Sequence, residues 1–457
     1  MPRETGVDRP TVVINMLRLT HIMPINHGER MVCLAGAGIH SVLQKAAELG
    51  RESHSVLGSI FLNPTVAAGI AFGSGGTQLR KGPVYTERLL YARVDANGKV
   101  QLVNSLGINA GSEDELFAKL ESGVLREADV DSKCALAASQ ITYGASVCAC
   151  HGSNGAEVSR FNASTEGPDA NRSEGKVLIL ASVHDTFAKP AAASTLWISV
   201  DDFATAQRLK REVCLAGGAK DLPMSCEYMD RDSVTAVDEA GRVLCFLISQ
   251  VGIGSMLKWM WDVKIKFEGL PIPMAGILAD KALFHLNPLC PNALPSPVRS
   301  LTDKHDHHLL VTVGEYGGGE EARFRQRLAT FAKANRVSVH QCTADETPWV
   351  SYFRFAAAPA FKTWCVGRGL EGVSVDYALP KAEREAPELP EGSAALRMRY
   401  SHFGCNVVHE DIAFQPGVDA HASKMALKHS VEDMGGKLPA EHGHGTEYVA
   451  PVSHLET

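Results

Sequence analysis

The 457-residue sequence has little that favours nucleic-acid binding, secretion or a membrane span. Its 45 basic residues against 52 acidic ones give a formal charge of -7, whereas a nucleic-acid-binding surface requires a basic excess. We find no apolar stretch typical of a signal peptide and no uninterrupted run of membrane-spanning length. Eleven scattered cysteines, an odd number, favour free thiols in a reducing compartment over a disulfide framework.

The composition that is present is typical of a folded protein of two or three domains. Hydrophobic residues make up 45% and charged residues 21% of the chain, as in globular domains. A strand and an amphipathic helix are expected over residues 28–50. Residues 88–104 predict a hairpin that turns at Asn97-Gly98, and residues 176–183 predict a buried strand.

A stretch rich in small residues, 57–76, has the pattern of neither a clean helix nor a strand. It runs into "GIAFGSGGTQLRKGP" (69–83), where glycines expose backbone N–H groups to close approach. Such a segment suits a phosphate or a flat cofactor ring, although glycine-rich runs also form simple tight turns.

The second half of the chain repeats a strand-helix unit. Residues 194–213 predict a strand followed by a helix, with Asp201 as its N-cap. Residues 307–343 repeat that order and add a further strand. Two such units separated by an insert, roughly 230–304, predict an α+β fold of the ferredoxin-like kind.

The insert contains "SMLKWMWDVKIKFEGLPIPMAGIL" (255–278), in which tryptophans and methionines alternate with lysines. That mixture suits a segment lying at a membrane interface, where aromatic rings and lysine stems bridge apolar and aqueous layers. The alternative is an amphipathic segment packed in the core, which composition alone favours.

Two histidines, His402 and His409, lie seven residues apart at the ends of the segment "HFGCNVVH". The residues between them are poor helix formers and predict a strand with an irregular start. In a regular strand this odd spacing aims the rings at opposite faces, so they converge only if the chain bends near Gly404 or His402 lies off the strand. The alternative is a pair of ordinary half-buried histidines.

A carboxylate for the same site follows in "PAEHGHG" (439–445). Two imidazoles and the carboxylate of Glu441, with one open coordination position, form a familiar set for a catalytic divalent metal. His442 is then free, with a pKa near the usual value of about 6.5, to accept a proton from a hydroxyl group.

Several segments resemble the membrane-associated, quinone-dependent D-lactate dehydrogenases. They occur in the same order along nearly the whole chain. The resembling segments include "LGRESHSVLGS" (49–59), "GSGGTQLRKGPVYTE" (73–87), "NGKVQLVNSLGI" (97–108), "CEYMDRD" (226–232), "HDHHLL" (305–310), "FRFAAAPA" (353–360) and "PAEHGHG".

The resemblance implies an FAD-binding domain of the vanillyl-alcohol-oxidase type over residues 1–185. It implies a ferredoxin-like cap over 186–432, with the insert 230–304 contacting the membrane, and a return to the FAD domain over 433–457. The implied flavin contacts are Gly58, Thr65, Gly75 and Ile179.

The resemblance also implies the chemistry, which is oxidation of D-lactate or a close D-2-hydroxyacid to pyruvate or its homologue, with electron transfer to a quinone. His442 would be the base, and Arg354 would bind the substrate carboxylate. The spacing of His402, His409 and Glu441 resembles a metal set of related D-2-hydroxyacid dehydrogenases, so a divalent metal such as zinc is a second expected cofactor. The expected location is the cytoplasmic side of the membrane, peripherally bound, or the cytoplasm.

The sequence departs from the resembling family in three ways. We expect it to lack the N-terminal part of the FAD domain, with its pyrophosphate loop, and the C-terminal tail. Arg172 stands where the family carries a glycine beside the flavin. Two alternatives therefore stay open: a truncated, flavin-free relative without activity, and a metal-dependent hydrolase that uses the His/Glu set.

Overall fold

The computed structural model describes residues 14–54, 63–149, 157–158, 160–161, 167–380, 387–445 and 447–451. Within these ranges the chain forms two main β-sheets, with helices packed on their faces. In chain order the strands are β1 (Ile22–Ile25), β2 (Arg30–Leu34), β3 (Arg51–Glu52), β4 (Leu89–Val94), β5 (Val100–Asn104), β6 (Leu178–Asp185), β7 (Phe187–Ala188), β8 (Ala192–Val200), β9 (Ser225–Asp230), β10 (His307–Glu315), β11 (Val337–Gln341), β12 (Gly372–Ala378), β13 (Ala394–His402) and β14 (Val407–Phe414).

The helices of the described residues occur mainly in the second half of the chain. They are α1 (Ile39–Glu48), α2 (Val66–Phe72), α3 (Glu113–Ser122), α4 (Tyr143–Cys148), α5 (Phe203–Leu209), α6 (Arg231–Ala240), α7 (Arg242–Val251), α8 (Ser255–Glu268), α9 (Ala275–Leu286), α10 (Ser296–Thr302), α11 (Glu320–Ala334), α12 (Glu346–Phe355), α13 (Ala357–Arg368) and α14 (Ala420–Asp433).

The first sheet has the strand order β1-β2-β6-β4-β5. Its hairpin β4–β5 pairs Leu90 with Asn104 and turns where Asn97-Gly98 predicted it. The predicted helix and buried strand are also observed, as α1 and β6. Consecutive residues of β2 and β6 are buried, so side chains on both faces of this sheet are covered, which explains why both strands read as continuous apolar runs.

The second sheet is antiparallel throughout, with the order β11-β8-β10-β9-β13-β14-β12. The strands β8, β9, β10 and β11 follow one another in the chain and lie side by side in the order β11-β8-β10-β9. Numbered by chain order, this is 4-1-3-2. With α5 between the first two and α11 between the last two, this is the predicted ferredoxin-like arrangement. The hairpin β13–β14 and then β12 extend the sheet beyond β9. Helices α6 to α10 form the insert between β9 and β10.

Two local predictions were wrong. Residues 66–72 form helix α2, although the stretch 57–76 was read as neither helix nor strand. The Thr65 side chain caps this helix by accepting the Ala68 N–H at 3.2 Å, and Gly73 ends it in the left-handed conformation, so the caps outweigh the weak helix propensity of the small residues.

The second wrong prediction concerns the start of α5. Its N-cap is Asp202, which accepts the Thr205 N–H at 2.7 Å. Asp201 instead contacts His305 Nδ1 at 2.5 Å. Two adjacent aspartates offer two possible caps, and the tertiary contact with His305 decides between them.

The insert does not pack as an amphipathic core segment. Met256 and Trp259 on α8 are 54% and 61% exposed, and Met274 before α9 is 55% exposed. We call the exposed apolar residues of α8, α9 and their connection the α8–α9 apolar set: Met256, Trp259, Val263, Ile265, Phe267, Leu270, Ile272, Met274 and Leu278. Within the described residues, no helix has both the length and the apolar character needed to cross a bilayer.

Candidate functional site

The site lies on one face of the second sheet, across four neighbouring strands. Glu227 on β9 is directly opposite His402 on β13. His409 on β14 is directly opposite both Tyr400 on β13 and Asp376 on β12. Because directly paired residues of adjacent strands point to the same face, these side chains form a continuous polar row.

The two histidines converge because the segment is a hairpin, not a single strand with an irregular start. After β13 the chain turns through residues 403–406, with Asn406 in the left-handed conformation, and returns as β14. The rings of His402 and His409 meet edge to face, with their Nε2 atoms 3.5 Å apart. The single-strand prediction was wrong because a four-residue turn lies inside the seven-residue spacing and reverses the chain direction. As a result, His402 and His409 point to the same face of the sheet, although their spacing is odd.

Glu441 completes the set from the segment that follows α14. Its Oε2 lies 3.4 Å from His402 Nε2 and 3.7 Å from His409 Nε2. The backbone N–H groups of Ala440 and Glu441 both donate to Asp376 Oδ2 at 2.9 Å. A carboxylate on the edge strand β12 therefore holds the C-terminal segment against the histidines.

These three side chains fit a metal ion. In a tetrahedral zinc site with bonds of about 2.0–2.1 Å, ligand atoms lie roughly 3.4 Å apart, close to the separations observed here. Burial, with His402 beside it, lowers the pKa of His409 to about 3, so this ring is neutral, as a ligand must be. His402 Nδ1 faces Glu227 Oε2 at 3.0 Å, which is the carboxylate contact that commonly orients a metal-binding imidazole.

A buried arginine from the first half of the chain neutralises Glu441. Arg160 Nη2 lies 2.5 Å from Glu441 Oε1, and its Nη1 donates to the carbonyl of Gly76 at 3.1 Å. Burial alone would raise the pKa of Glu441, but Arg160 and His402 outweigh that effect and hold it well below its usual value. The side chains of Arg160, Glu441 and His402 thus link the glycine segment to the histidine hairpin.

The sequence suggested that His442 is free, but in the structure it pairs with Asp376. Its Nδ1 lies 2.8 Å from Asp376 Oδ1, while the side chain stays 68% exposed. The Asp376 carboxylate raises the pKa of His442 to about 9, so the prediction of a value near 6.5 was wrong. The contact holds Nδ1 against the Asp376 carboxylate, as in an oriented acid-base histidine.

Arg354 is buried next to the site and pairs with Glu227. Its Nη2 is 2.8 Å from Glu227 Oε2, and its guanidinium lies over the Tyr400 ring at 4.9 Å. Its side chain is 5% exposed. Together with the contacts above, this gives an alternating row of charges through Arg354, Glu227, His402, Glu441 and Arg160.

The glycine segment 73–76 is held close to the C-terminal segment. A Cβ on Gly443 would lie 2.5 Å from the Phe72 ring, and His444 Nδ1 lies 2.7 Å from Glu174 Oε1. The structure therefore brings together the glycine segment and the histidine cluster, which are more than 300 positions apart in the sequence.

Comparison with known proteins identifies the family. A family model described as "D-lactate dehydrogenase, membrane binding" matches residues 195–456, more than half of the chain. Over 463 aligned residues the chain is 30% identical to the quinone-dependent D-lactate dehydrogenase of Corynebacterium glutamicum, covering 98% of this chain and 79% of the relative. The chain belongs to this family. The quinone-dependent D-lactate dehydrogenase of Escherichia coli is 29% identical over 470 residues, again covering 98% of this chain and 79% of the relative.

A solved structure extends the likeness to the fold. Alkyldihydroxyacetonephosphate synthase superposes with a TM-score of 0.51 at 12% identity, covering 95% of this chain. The chain spans 64% of the length of that protein. The likeness is one of fold, and the sheets and helices described above confirm the predicted α+β class with a ferredoxin-like cap.

The residues expected to contact the flavin lie in three different environments, and one of them falls outside the described residues. Gly75 lies against Arg160, whose Nη1 would be 1.6 Å from an added Cβ, so only glycine fits there. Thr65 caps α2, which ends at the glycine segment. Ile179 is buried with Val66 and Ile70 in the core behind that helix. Gly58 lies outside the described residues.

Arg172 adopts a backbone conformation that favours glycine, the residue expected at this position from the family resemblance. Its φ is 58°, in the left-handed region that glycine favours. Its side chain packs over Gly73, where an added Cβ would lie 2.7 Å from it. Two arginines, Arg160 and Arg172, thus cover the glycine segment.

Buried polar groups lie beside the glycine segment. Arg160 fills the space next to Gly75 and pairs with Glu441, so it stands between this segment and the histidine cluster. Two buried polar atoms here, Arg160 Nε and Ser173 Oγ, have no hydrogen-bond partner among the described residues. Because buried polar atoms are nearly always hydrogen-bonded in folded proteins, these donors favour a bound ligand.

Sequence reasoning missed three residues of the site: Arg160, Glu227 and Asp376. Glu227 stands in the resembling segment "CEYMDRD", which was a signal, but no spacing rule connects it with His402. Asp376 and Arg160 lie in segments with no recognisable motif. Only strand pairing and the docking of distant segments place them beside the histidines.

Proposed function

We propose that this chain oxidises D-lactate, or a close D-2-hydroxyacid, to the 2-oxoacid and passes the electrons to a quinone, with FAD as its redox cofactor. The observation that carries the proposal is the juxtaposition of the glycine segment with His402, His409, Glu441 and His442. A 2-hydroxyacid loses its hydroxyl proton and its C2 hydrogen from adjacent atoms, so a base and an electron acceptor must lie on either side of C2. The names of the relatives support the substrate and the quinone.

His442 is the proposed base. Its Nε2 would accept the hydroxyl proton, because Nδ1 faces Asp376 and that carboxylate stabilises the imidazolium formed. The same contact keeps the His442 ring largely protonated at neutral pH, so proton acceptance is expected to increase as the pH rises toward the pKa of about 9. Bound FAD would supply the two-electron acceptor.

A divalent metal, with zinc preferred, is the second proposed cofactor. His402, His409 and Glu441 would hold it, with Glu227 and Arg160 fixing the orientation of two of these ligands. A metal there would supply a positive charge that binds the substrate carboxylate and hydroxyl. We retain Arg354 as a proposed contributor to carboxylate binding, acting through Glu227 because it pairs with that residue.

The cap insert is the proposed membrane contact. The α8–α9 apolar set exposes more large apolar residues than a soluble surface normally carries on neighbouring elements. The description of the matching family model as membrane binding supports this assignment. We propose that the protein binds peripherally to the cytoplasmic side of the membrane, in keeping with the scattered cysteines. We also propose three parts of the chain: an FAD domain over 1–185, a cap over 186–432 with the insert 230–304, and a return to the FAD domain over 433–457.

The visible spectrum of the purified protein, before and after anaerobic addition of D-lactate, tests the proposal. We expect flavin absorption that bleaches with D-lactate and recovers with a soluble quinone. The variant His442→Ala should keep its flavin but lose bleaching, with His429→Ala, an exposed histidine on α14, as the matched control. A colourless folded protein would exclude flavin catalysis by this chain, and ester hydrolysis on zinc addition to it would favour the hydrolase.

A further inference from the structure

A second cluster of metal-binding side chains lies away from the site described above, at the edge of the second sheet. His340 is on β11, the edge strand, and Cys342 follows that strand by one residue. Because alternate residues of a strand point to the same face, both side chains lie on one face, where Cys342 packs in a core cluster with Val350 and Phe353 of α12. The ladder continues to Cys342, whose N–H donates to the Thr195 carbonyl at 2.9 Å.

The third member is Glu346, the first residue of α12. Its Oε2 accepts the Thr343 N–H at 2.9 Å and lies 2.9 Å from His340 Nε2, while the Thr343 hydroxyl accepts the Glu346 N–H at 3.2 Å. This capping arrangement turns the carboxylate back toward the strand. One potential ligand atom from each of His340, Cys342 and Glu346 lies within 4.8 Å of the other two.

The burial of the three groups suits ligands rather than surface side chains. Cys342 is 7% exposed, and the side chains of His340 and Glu346 are 22% and 20% exposed. An imidazole, a thiol and a carboxylate together are a set that favours zinc and similar borderline-soft cations over magnesium or calcium. We propose that His340, Cys342 and Glu346 bind a divalent cation of the zinc class, with water in the fourth position.

Binding requires one proton to leave. The thiol of Cys342 releases its proton to solvent, and the thiolate, the carboxylate and the neutral imidazole then neutralise the cation. The His340–Glu346 contact opens by a few tenths of an ångström to admit the ion, since ligand atoms of a tetrahedral site lie roughly 3.4 Å apart.

The role of this site is structural. The cation joins edge strand β11 to the first turn of α12, and the same helix carries Arg354 two turns further on. Arg354 pairs with Glu227, which faces His402. A cation at the helix start therefore stabilises the position of the helix that supports the histidine hairpin.

Titration of the metal-free full chain with cobalt(II) tests the proposal, because a cobalt–thiolate bond gives a charge-transfer absorption that histidine and carboxylate ligands do not. We expect one such band per chain in the wild type, and saturation at one equivalent in the double variant His402→Asn/His409→Asn, which lacks the histidines of the other proposed metal site. Cys290→Ser, at a partly exposed cysteine of the same cap, is the matched control and should keep the band.

The variants Cys342→Ser and His340→Asn should each lose the band and, when made in the His402→Asn/His409→Asn background, the rise in melting temperature that zinc causes in that double variant. His340→Asn covers the case in which Cys342→Ser does not fold. A folded wild type without the band in excess cobalt, or a band of unchanged intensity in Cys342→Ser or His340→Asn, would overturn the proposal. The outcome does not depend on flavin binding or lactate oxidation, so the two proposals succeed or fail separately.

Discussion

Glu227 lies directly opposite His402 in the second sheet, and its carboxylate accepts the His402 Nδ1–H at 3.0 Å while also pairing with Arg354 at 2.8 Å. All three side chains are at most 5% exposed. The Glu227 carboxylate thus orients the imidazole of His402 and neutralises the buried guanidinium of Arg354.

Removing the charge of Glu227 should therefore impair both stability and metal binding. We expect Glu227→Gln to lower the free energy of unfolding by on the order of 3 kcal/mol, because it leaves Arg354 buried without its counter-ion. Zinc affinity at the triad should fall about 10–100-fold. Denaturant unfolding and chelator competition measure the two effects. Glu239→Gln, which affects a half-exposed pair with Arg368, should change neither by a comparable amount.

Asp376 orients the proposed base. In Asp376→Asn the amide keeps the shape of the carboxylate but does not stabilise the His442 imidazolium, so D-lactate-dependent flavin reduction should slow by at least about 100-fold. Stopped-flow absorbance measures the rate. Asp238→Asn, whose side chain pairs with Arg242 on the insert, is the control. Reduction at the wild-type rate in Asp376→Asn would remove this carboxylate from the proton transfer.

The α8–α9 apolar set predicts binding to lipid vesicles. The double variant Met256→Ser/Trp259→Ser removes two large exposed apolar side chains, each contributing roughly 1.5–3 kcal/mol when fully buried, so vesicle affinity should fall at least about tenfold. Co-sedimentation with liposomes measures it. Val100→Ser, at a 76% exposed valine of β5, removes an exposed apolar side chain elsewhere and should leave binding unchanged. Equal binding by all three proteins would place the membrane contact outside this set.

Gly75 tests the contact between the glycine segment and the histidine cluster. A Cβ there would lie 1.6 Å from Arg160 Nη1, so Gly75→Ala should displace Arg160 and deprive Glu441 of its counter-ion. We expect a lower melting temperature and reduced flavin content. Gly276→Ala on α9, where an added Cβ meets nothing within 4 Å, should be neutral or slightly stabilising. A fully flavin-loaded Gly75→Ala protein would show that this glycine is not required for cofactor binding.

Stability should decrease on acidification because of buried His184. Burial lowers its pKa from 6.5 to about 4, so between these values the unfolded chain binds a proton that the folded chain does not. The contribution is complete above about pH 6.5 and lost as the pH falls toward 4, on the order of 3 kcal/mol. The unfolding free energy of His184→Gln should therefore fall less than that of the wild type between about pH 7 and 5. The exposed His429→Gln control should follow the wild type.

Local patterns predicted the secondary structure wherever a segment's own residues decide it. The hairpin at Asn97-Gly98 and the helix over residues 39–48 required only turn chemistry and apolar periodicity. The cap of α5 and the helix at Val66 were missed, because the choice between Asp201 and Asp202, and the formation of α2, depend on caps and packing partners.

The candidate site shows the same division. The sequence determined which residue types were available, since "HFGCNVVH" and "PAEHGHG" carry two imidazoles, a carboxylate and a further histidine. Tertiary structure decided that the first segment reverses direction, so that both rings share a face. It also decided which distant groups surround them, because Glu227, Asp376 and Arg160 arrive by strand pairing and by the docking of segments far apart in the chain. Spacing along one segment carries no information about such partners, and it is their charges, together with burial, that set the protonation of the histidines and of Glu441.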